Sequence, residues 1–454
     1  MAKPDKATPR RRRRKRLPET IVEARIETLA DDGRGIAHVD ERTVFVDQAL
    51  PGERVRFQYT RYTNKLTEAR VVELIEASPD RVEPRCPIFG ACGGCSLQHI
   101  AHAVQIDIKQ RALLQQLQRI GKVAPEQILP PLTGPVWAYR HKARLGVRYV
   151  AKKNKVLVGF RERGSSFITD TPRCDILHAS VGGLIDALSA LIGDMQARQH
   201  IPQIEVAVGD AATVLVFRHL IELDQGDRDR LRDFAEHHGI VCLLQAGKPD
   251  QLEALYPVEP EPLFYGIDDD AIRIEFAPSD FTQVNPELNR NMLRQAIELM
   301  QLQAGDVVLD LFSGLGNFSL PMATRCQAVV AVEGTATMVK KARANAARNG
   351  IENVEFFCAD LYSDEIHYAP WLKQPFNKVL LDPPRSGAAE VIPLLVKNRP
   401  QRIVYVSCHP ATLARDAGML VNDHGYRCTH AGIMDMFPHT AHVESIAVFE
   451  GGSS

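Results

Sequence analysis

The last third of the chain alternates short apolar runs with helical stretches, and no other feature constrains the fold as strongly. The apolar runs cover residues 307–311, 328–332, 354–357, 378–382 and 402–406. Strands that are hydrophobic along their whole length are buried on both faces, as in a parallel sheet covered by helices on each side. From about residue 277 onward, the sequence therefore predicts an α/β fold with a doubly wound, Rossmann-like sheet.

A glycine-rich turn follows the first of these strands, in Asp310-Leu-Phe-Ser-Gly-Leu-Gly-Asn317. Its glycines permit a tight turn and the close approach of a ligand to the backbone. Glu333 ends the next strand, where a carboxylate can accept hydrogen bonds from two ribose hydroxyls. Position 319 is Ser, so the loop lacks the third glycine of a dinucleotide-binding Gly-x-Gly-x-x-Gly motif. The pattern favours S-adenosylmethionine over a dinucleotide, with Asp360, after the third strand, as an adenine contact or a helix cap.

Three further motifs place reactive groups at the ends of strands. Cys408 lies in Val406-Ser-Cys-His-Pro410, directly before a predicted helix, and a helix N-terminus lowers the pKa of a thiol. Leu381-Asp-Pro-Pro-Arg385 carries Arg where amino-group methyltransferases have an aromatic ring, which argues against a nitrogen target and leaves Asp382 to hold a base edge. Glu444, in His442-Val-Glu444, enters a largely apolar strand and is a candidate proton acceptor. The competing interpretations are an inert loop cysteine and an exposed strand carboxylate.

Together these motifs indicate methylation of carbon 5 of a pyrimidine. Carbon 5 of uracil is a poor nucleophile, but addition of a thiolate at carbon 6 makes an enolate whose carbon 5 can attack a sulfonium methyl group. A base then removes the proton from carbon 5 and the thiolate leaves, which divides one difficult step into easier ones. Cys408 is the predicted nucleophile and Glu444 the predicted base.

The N-terminal part of the chain has features of an RNA-binding protein. Residues 1–16 hold nine Lys or Arg and one Asp, a net charge of +8 in a chain whose total is −1. Such a run is typical of a disordered nucleic-acid arm, although a solvated tail has the same composition. Residues 18–78 contain five short runs of strand character between Gly/Pro turns, which predicts a small barrel of the oligonucleotide-binding kind. Phe57 and Tyr59 are expected either to stack on bases or to fill the barrel core.

A cluster of cysteines follows the predicted barrel. Cys86, Cys92 and Cys95 form a C-x5-C-x2-C pattern in a glycine-rich loop, and Cys174 is the best placed fourth ligand by its local context. The spacing allows zinc or an iron–sulfur cluster, because four thiolates bind either. It does not match C-x3-C-x2-C, which disfavours a radical role. The N-terminus has no apolar signal core, so the cysteines are expected to be free, catalytic or metal-bound rather than paired.

These motifs, with Phe281-Thr-Gln-Val-Asn285 upstream, resemble those of the RNA 5-methyluridine methyltransferase family. The resemblance implies that Cys408 is the nucleophile and Glu444 the base, and that the cofactor and uracil site is lined by Gln283, Phe312, Asn317, Glu333, Asp360 and Asp382. Ribosomal RNA members of the family carry a [4Fe-4S] cluster on cysteines that match Cys86, Cys92, Cys95 and Cys174. The barrel resembles a TRAM domain of one bacterial subgroup, which implies 23S ribosomal RNA as the partner. In that subgroup a helix matching residues 99–121 packs on the catalytic domain.

The predicted organisation is a basic tail (1–17), a TRAM-like barrel (18–78), a central β-rich domain with the cluster (79–276) and a methyltransferase domain (277–450). No apolar run approaches the roughly 18 residues that a membrane span needs, so we expect a cytoplasmic monomer with no membrane partner. Two alternatives stay open: the same chemistry on transfer RNA, and a non-catalytic RNA-binding assembly factor, which would not need both reactive residues. A DNA cytosine methyltransferase would carry Pro-Cys rather than Ser-Cys. The cluster is expected to be structural, since the reaction needs no electron.

Overall fold

The computed structural model describes residues 17–30, 32–247, 251–269 and 271–451. The arginine-rich tract lies outside the described residues, and its contact with RNA stays a prediction. Contacts along the chain define two units. The first comprises the residues up to Glu83 together with Ser96–Ala101, and the second comprises Pro84–Cys95 together with the residues from His102 onward. No helix in the described part of the chain is long and apolar enough for a membrane crossing.

The described residues of the first unit form a six-stranded barrel with the strand order β1-β5-β6-β4-β3-β2. Its strands are β1 (Val22–Arg25), β2 (Thr28–Leu29), β3 (Gly35–Val39), β4 (Arg42–Asp47), β5 (Arg54–Tyr62) and β6 (Thr67–Glu76). Only two residues separate β1 from β2, so one nearly continuous segment pairs with β5 at one end and with β3 at the other. This pairing closes the sheet, as the short strands and Gly/Pro turns predict.

The aromatic residues of β5 face the interior of the barrel. Phe57 is fully buried and Tyr59 is nearly so, and their rings meet edge to face with centroids 5.4 Å apart. Arg56 and Arg61 of the same strand are exposed. Of the two interpretations of Phe57 and Tyr59, base stacking is therefore wrong and core packing is correct, because side chains alternate between the two faces of a strand.

The second unit begins its regular structure with helix α1 (His102–Gln116), which continues through a π-helical turn at Leu117–Gly121. In the sequence, Ile106, Leu113, Leu114, Leu117 and Ile120 recur near helical spacing, which predicts Ile120 on the buried face, yet this side chain is 47% exposed. A π turn contains more residues than an α turn, so it shifts the rotation of the residues that follow. Two polar residues of α1, Gln105 and Lys109, are buried instead.

A six-stranded sheet and several helices follow α1. The short strand β7 (Gln127–Ile128) precedes this sheet, whose strands are β8 (Lys142–Val150), β9 (Lys155–Gly159), β10 (Gln203–Val208), β11 (Thr213–Arg218), β12 (Val241–Gln245) and β13 (Leu252–Tyr256). Their order is β13-β12-β11-β10-β8-β9, and a separate hairpin joins β14 (Leu263–Ile267) to β15 (Ile272–Phe276). The accompanying helices are α2 (Ala179–Gly182), α3 (Ile185–Gly193) and α4 (Gln225–His238).

The C-terminal part of the second unit is the predicted doubly wound sheet. Its strands are β16 (Val307–Leu311), β17 (Ala328–Glu333), β18 (Val354–Cys358), β19 (Lys378–Leu381), β20 (Arg402–Ser407), β21 (Arg427–Met434) and β22 (Glu444–Glu450). The helices are α5 (Pro286–Met300), α6 (Ser319–Ala323), α7 (Ala336–Arg348), α8 (Ile392–Leu395) and α9 (Pro410–Gly418). In the order β18-β17-β16-β19-β20-β22-β21-β7, β22 is antiparallel to both of its neighbours. Strands β16 to β20 are mutually parallel, so their carboxyl ends share one edge.

Helix α1 packs against this C-terminal part. The ammonium group of Lys109 donates to Asp435, which follows β21, and Gly121 lies against Ala414 and Gly418 of α9. A helix from the first half of the chain thus lies against the elements that hold the candidate site.

Candidate active site

The glycine-rich loop after β16 takes a sharply turned backbone. Phe312 has a φ of +66°, and Gly314 and Gly316 have values of +55° and +92°. Glycine adopts this region without a steric penalty, whereas a non-glycine residue such as Phe312 stays there only where its surroundings hold it. The Phe312 ring lies 5.9 Å from the ring of Tyr362. The loop therefore presents backbone and one aromatic side chain at the carboxyl edge of the sheet, where open α/β sheets bind ligands.

Glu333 reaches across from the end of β17 to this loop. One of its carboxylate oxygens accepts a hydrogen bond from the Gly314 N–H at 3.1 Å, and the other accepts from the Thr335 N–H at 3.2 Å. The side chain is partly exposed, so both oxygens keep room for further donors. Glu333 is thus held beside the loop at the place where the sequence predicts a ribose contact.

Buried polar atoms without partners lie beneath the same loop. Among the described residues, nothing hydrogen-bonds to Oδ1 of Asp310 or to Oγ of Ser313. Burial raises the pKa of Asp310 to about 7, Asp382 and Glu333 add to the rise, and a hydrogen bond from Ser319 opposes it. Buried polar groups are rarely left unpaired in proteins, so these atoms fit a ligand rich in donors, such as the amino group and hydroxyls of S-adenosylmethionine.

The other predicted cofactor residues are placed differently. The amide of Asn317 forms a reciprocal pair with the amide of Asn289, at 3.0 and 3.1 Å, and also accepts from the Tyr265 hydroxyl at 3.1 Å. These bonds direct it toward α5 and β14 rather than into the loop's open side. Asp360 is exposed and accepts a hydrogen bond from the Tyr362 N–H at 3.0 Å, so it holds a turn after β18. Gln283 is partly buried in the segment before α5.

The candidate nucleophile and base are neighbours in the sheet. Ser407 of β20 pairs with Ser445 of β22, so the next position of this antiparallel ladder sets Cys408 beside Glu444. His409 caps α9, its ring nitrogen accepting a hydrogen bond from the Thr412 N–H, so Cys408 lies just before the helix N-terminus. The sequence predicts both features, the strand end and the following helix.

Burial and two neighbouring carboxyl groups dominate the electrostatic surroundings of Cys408. Burial, together with the carboxyls of Glu444 and Asp382, raises the pKa of the thiol to about 11 against the opposing effect of Arg385. Burial disfavours the charged thiolate, and the predicted effect of the helix N-terminus on this pKa stays a prediction.

Burial also shifts the two neighbouring carboxyl groups toward their neutral forms. Burial raises the pKa of Glu444 to about 8, and Asp382 adds to the rise, while Arg385 and Lys109 oppose it. Burial alone raises the pKa of Asp382 to about 7. Carboxyl groups with pKa values near neutrality can accept and return protons under physiological conditions, as a general base must.

Two cations adjoin this group of acids, and the sequence identified only one of them. Arg385 is exposed, and its guanidinium lies 3.1 Å from Nδ1 of His442. Lys109 is 1% exposed and donates to Asp435 at 2.6 Å and to the Phe437 carbonyl at 3.0 Å. One feature of the sequence could have identified Lys109: it follows Gln105 by four residues, so both side chains lie on one face of the helix. The apolar residues of the same helix drew attention away from this polar pair.

The four predicted metal-ligating cysteines lie in the second unit. Burial raises the pKa of Cys174 to about 11, with contributions from the nearby thiols of Cys92 and Cys86, and Cys92 accepts a hydrogen bond from the Gly94 N–H at 3.3 Å. Pairing of the cysteine loop with residues 161–163 holds it in place. Within the described residues, no group of three or more His, Cys, Asp or Glu side chains is arranged to hold a metal ion. The donor chemistry fits an iron–sulfur cluster, whose sulfur ligands commonly accept backbone hydrogen bonds.

Two protein-family models match this chain, one in its C-terminal part and one in its N-terminal part. The family model described as tRNA (Uracil-5-)-methyltransferase matches residues 259–450, and the TRAM domain model matches residues 15–72. The predicted TRAM domain is thereby confirmed.

Relatives of known name match nearly the whole chain. A protein of Alkalilimnicola ehrlichii is 51% identical over 439 residues, which cover 97% of this chain and 98% of the relative. A protein of Nitrosococcus oceani is 51% identical over 439 residues, 96% of this chain and 98% of the relative. Both are named 23S rRNA (uracil(1939)-C(5))-methyltransferase RlmD.

Among solved structures, the chain is similar to the Pyrococcus abyssi tRNA (uracil-54, C5)-methyltransferase in complex with S-adenosyl-L-homocysteine. The TM-score is 0.72 at 22% identity, and the match covers 94% of this chain and 100% of the other. At this identity the likeness concerns the fold, and it confirms the predicted Rossmann-like class.

Proposed function

This chain belongs to the RNA uracil-C5 methyltransferase family, and we propose that it methylates carbon 5 of one uridine in 23S ribosomal RNA, with S-adenosylmethionine as methyl donor. The observation that carries the proposal is the adjacency of Cys408 and Glu444 at the carboxyl edge of the sheet. Carbon-5 methylation is a reaction that requires a thiol and a base side by side. By the names of the relatives, the target corresponds to uridine 1939.

The donor site we propose is the turn after β16 together with the end of β17. Glu333 would take the ribose hydroxyls, while the unpartnered oxygens of Asp310 and Ser313 would accept hydrogen bonds from polar groups of the donor. Phe312, Gln283 and the Asp360 turn complete the lining in this proposal. When bound, S-adenosylmethionine supplies an electrophilic methyl group to carbon 5 and leaves as S-adenosylhomocysteine.

The protein residues carry the remaining chemistry. Cys408, as the thiolate, forms a bond from Sγ to carbon 6 of the uracil, and the displaced electron pair makes carbon 5 nucleophilic. Asp382, whose pKa burial raises to about 7, would in its protonated form donate a hydrogen bond to the base as this negative charge develops. Glu444 then accepts the proton from carbon 5, and the Sγ–carbon 6 bond breaks to restore the thiolate.

The target uridine must leave its stack to reach Cys408, which costs a few kcal/mol. The TRAM barrel presents exposed arginines such as Arg56 and Arg61, which suit the RNA backbone. Monomeric state and cytoplasmic location remain predictions. The names of the relatives favour ribosomal RNA over transfer RNA.

The test uses RNA in which 5-fluorouridine replaces the target uridine. Fluorine cannot leave carbon 5 as a cation, so methyl transfer should leave RNA covalently attached to the protein. We expect this adduct with the wild-type protein and none with Cys408→Ala. Absence of an adduct in the wild type, or its persistence in the variant, would falsify the mechanism. Parallel assays on 23S ribosomal RNA fragments and on transfer RNA separate the two substrates, and preference for transfer RNA would contradict the assignment.

We further propose that Cys86, Cys92, Cys95 and Cys174 hold a [4Fe-4S] cluster with a structural role. The support is the set of four thiols, the proximity by which Cys86 and Cys92 act on the pKa of Cys174, and the Gly94 hydrogen bond to the Cys92 sulfur. Protein purified without oxygen should contain about four iron and four sulfide per chain, a composition set by this cluster type. Cys174→Ser should lower both contents and reduce thermal stability. One zinc per chain, with no iron or sulfide, would contradict the cluster assignment.

A further inference from the structure

The hairpin that carries Glu444 is held from one side by helix α1. Strand β21 ends at Met434, which pairs directly with Glu444 at the start of β22, so residues 435–443 form the connecting loop. Asp435 and His439 in this loop are almost fully buried. The position of Glu444 therefore depends on how the two ends of the loop are fastened.

Lys109 of α1 makes the central contacts with this loop. Its ammonium group donates to Oδ1 of Asp435 at 2.6 Å and to the carbonyl of Phe437 at 3.0 Å. The other oxygen of Asp435 lies 2.8 Å from Nε2 of His102. Lysines are almost never fully buried unless paired, and this one is 1% exposed.

Gln105, one turn before Lys109, adds a second set of contacts. Its side-chain oxygen accepts a hydrogen bond from the backbone N–H of His439 at 3.0 Å, and its amide nitrogen lies 3.3 Å from Nδ1 of the same residue. Residues at positions i and i+4 share a helix face, so α1 presents one polar stripe to the loop.

Glu444 faces charges from three directions. Asp382 and Arg385 act on it from the loop after β19, and Lys109 acts on it from α1. The Cys408 thiol adjoins it from the end of β20. Of these groups, Lys109 is the buried cation, and a charge acts more strongly where water is excluded.

We propose that Lys109 is a positioning residue for methyl transfer, which fastens the hairpin loop to α1 and places a buried positive charge beside Glu444. The inference rests on the proposed function, in which Glu444 removes the proton from carbon 5. A purely structural ion pair with Asp435 would stabilise the fold without affecting one reaction step more than another. The two roles are distinguished by separating adduct formation from proton removal.

The experiment compares two reactions in single turnovers at saturating donor. RNA with 5-fluorouridine reports the steps up to the covalent adduct, which do not need the base. RNA with tritium at carbon 5 of the target uridine reports proton removal, through tritium released to water. The proteins are the wild type, Lys109→Met, Lys109→Arg and the double variant Lys109→Met/Asp435→Asn, which leaves no unpaired charge at the contact. Arg111→Met is the matched control, because Arg111 is an exposed cation on the same helix.

We expect Lys109→Met to form the adduct within about threefold of the wild-type rate but to release tritium at least about tenfold more slowly, since general-base catalysis supplies about 10²- to 10⁴-fold. Lys109→Arg should recover part of the loss, and Arg111→Met should match the wild type. The rate of tritium release in Lys109→Met should also reach its plateau at a higher pH than in the wild type.

Each other result has a definite meaning. Unchanged tritium release in Lys109→Met overturns the inference, and so does an equal loss of both rates. If the single variant fails to fold, the same two rates are measured in the double variant, with the same criteria. A wild-type protein that forms no adduct overturns the proposed function, and this inference with it, whereas a wild-type adduct with normal release in the variants overturns this inference alone.

Discussion

Replacing Gly121 by alanine is expected to slow methyl transfer by displacing Cys408. Gly121 ends the π turn after α1 and lies against α9, which begins two residues after Cys408. A Cβ atom at this position would lie 3.2 Å from the carbonyl carbon of Ala414, closer still to its oxygen, and 3.5 Å from the nitrogen of Gly418. All three are backbone atoms, so no side-chain rotation relieves the overlap and the two helices must separate.

The size of the effect follows from this geometry. A separation of about 1 Å is needed to bring the Cβ atom to an ordinary contact distance from the Ala414 oxygen, and overpacking of this kind costs about 1–3 kcal/mol. In a unit of this size, that loss corresponds to a fall in melting temperature of about 1–4 °C. A shift of about 1 Å in a reacting group can cost up to about 10²-fold in rate, so we expect adduct formation to slow by about 10- to 100-fold.

The assay pairs thermal unfolding with the rate of adduct formation on 5-fluorouridine RNA. Gly193→Ala is the control, because Gly193 ends α3 in the same unit and nothing lies within 4 Å of a Cβ built there. A Gly121→Ala protein that matches this control in both measurements refutes the steric argument. A lower melting temperature with an unchanged rate refutes the coupling between α1 and Cys408.

Glu444→Gln should raise the free energy of unfolding at pH 7 by about 2–3 kcal/mol while abolishing turnover. The pKa of Glu444 is about 8 in the folded protein and near 4.5 when unfolded, so its contribution to stability is complete below pH 4.5 and is lost as the pH rises to 8. Denaturant titrations at pH 5 and pH 8 should therefore show a growing advantage of the variant, and a difference independent of pH contradicts this. In the barrel, Glu53 is fully buried and accepts hydrogen bonds from Arg81 and from the N–H groups of Leu50 and Ser78. Glu53→Ala should therefore destabilise the first unit by about 3–5 kcal/mol, because it leaves the Arg81 charge without its buried partner. A melting curve like that of the wild type would contradict this expectation. Deletion of residues 1–16 should weaken RNA binding and flatten its dependence on salt, as measured between 50 and 200 mM, and an unchanged slope would mean that the tract makes no phosphate contacts.

The sequence predicts the C-terminal sheet closely because its strands depend on local pattern. The runs at 307–311 and 402–406 match β16 and β20 to within one residue. A strand buried on both faces needs only a short run of apolar residues, and that run is visible in the sequence itself. A prediction of which side chains face the core of a helix fails where a π turn rotates the residues that follow it, as the exposed Ile120 illustrates.

Polar residues were harder to interpret because their partners are distant in sequence. Asn317 is predicted to be a cofactor residue from its motif, and nothing in that motif indicates that its amide also bonds to Asn289 and Tyr265, neither of which lies near it in the chain. Lys109 finds its partner Asp435 more than 300 residues later. A pattern along one segment carries no information about such pairs.

The protonation states of the site residues also depend on groups that are distant in sequence, including Lys109 of α1. The sequence identifies Cys408, Asp382 and Glu444 as reactive groups, but it does not show that burial raises the pKa of each. Nor does it show that Glu444 and Asp382 add to the rise at Cys408, and that Asp382 adds to the rise at Glu444. At pH 7, a thiol with a pKa of about 11 is ionised in about one molecule in 10⁴, and a carboxyl with a pKa of about 8 in about one in ten. The two cations beside the group, Arg385 and Lys109, oppose this repulsion, and Lys109 reaches it only because α1 packs against the C-terminal part. The reacting groups are thus encoded within the methyltransferase domain, whereas their charge also depends on a helix from outside it.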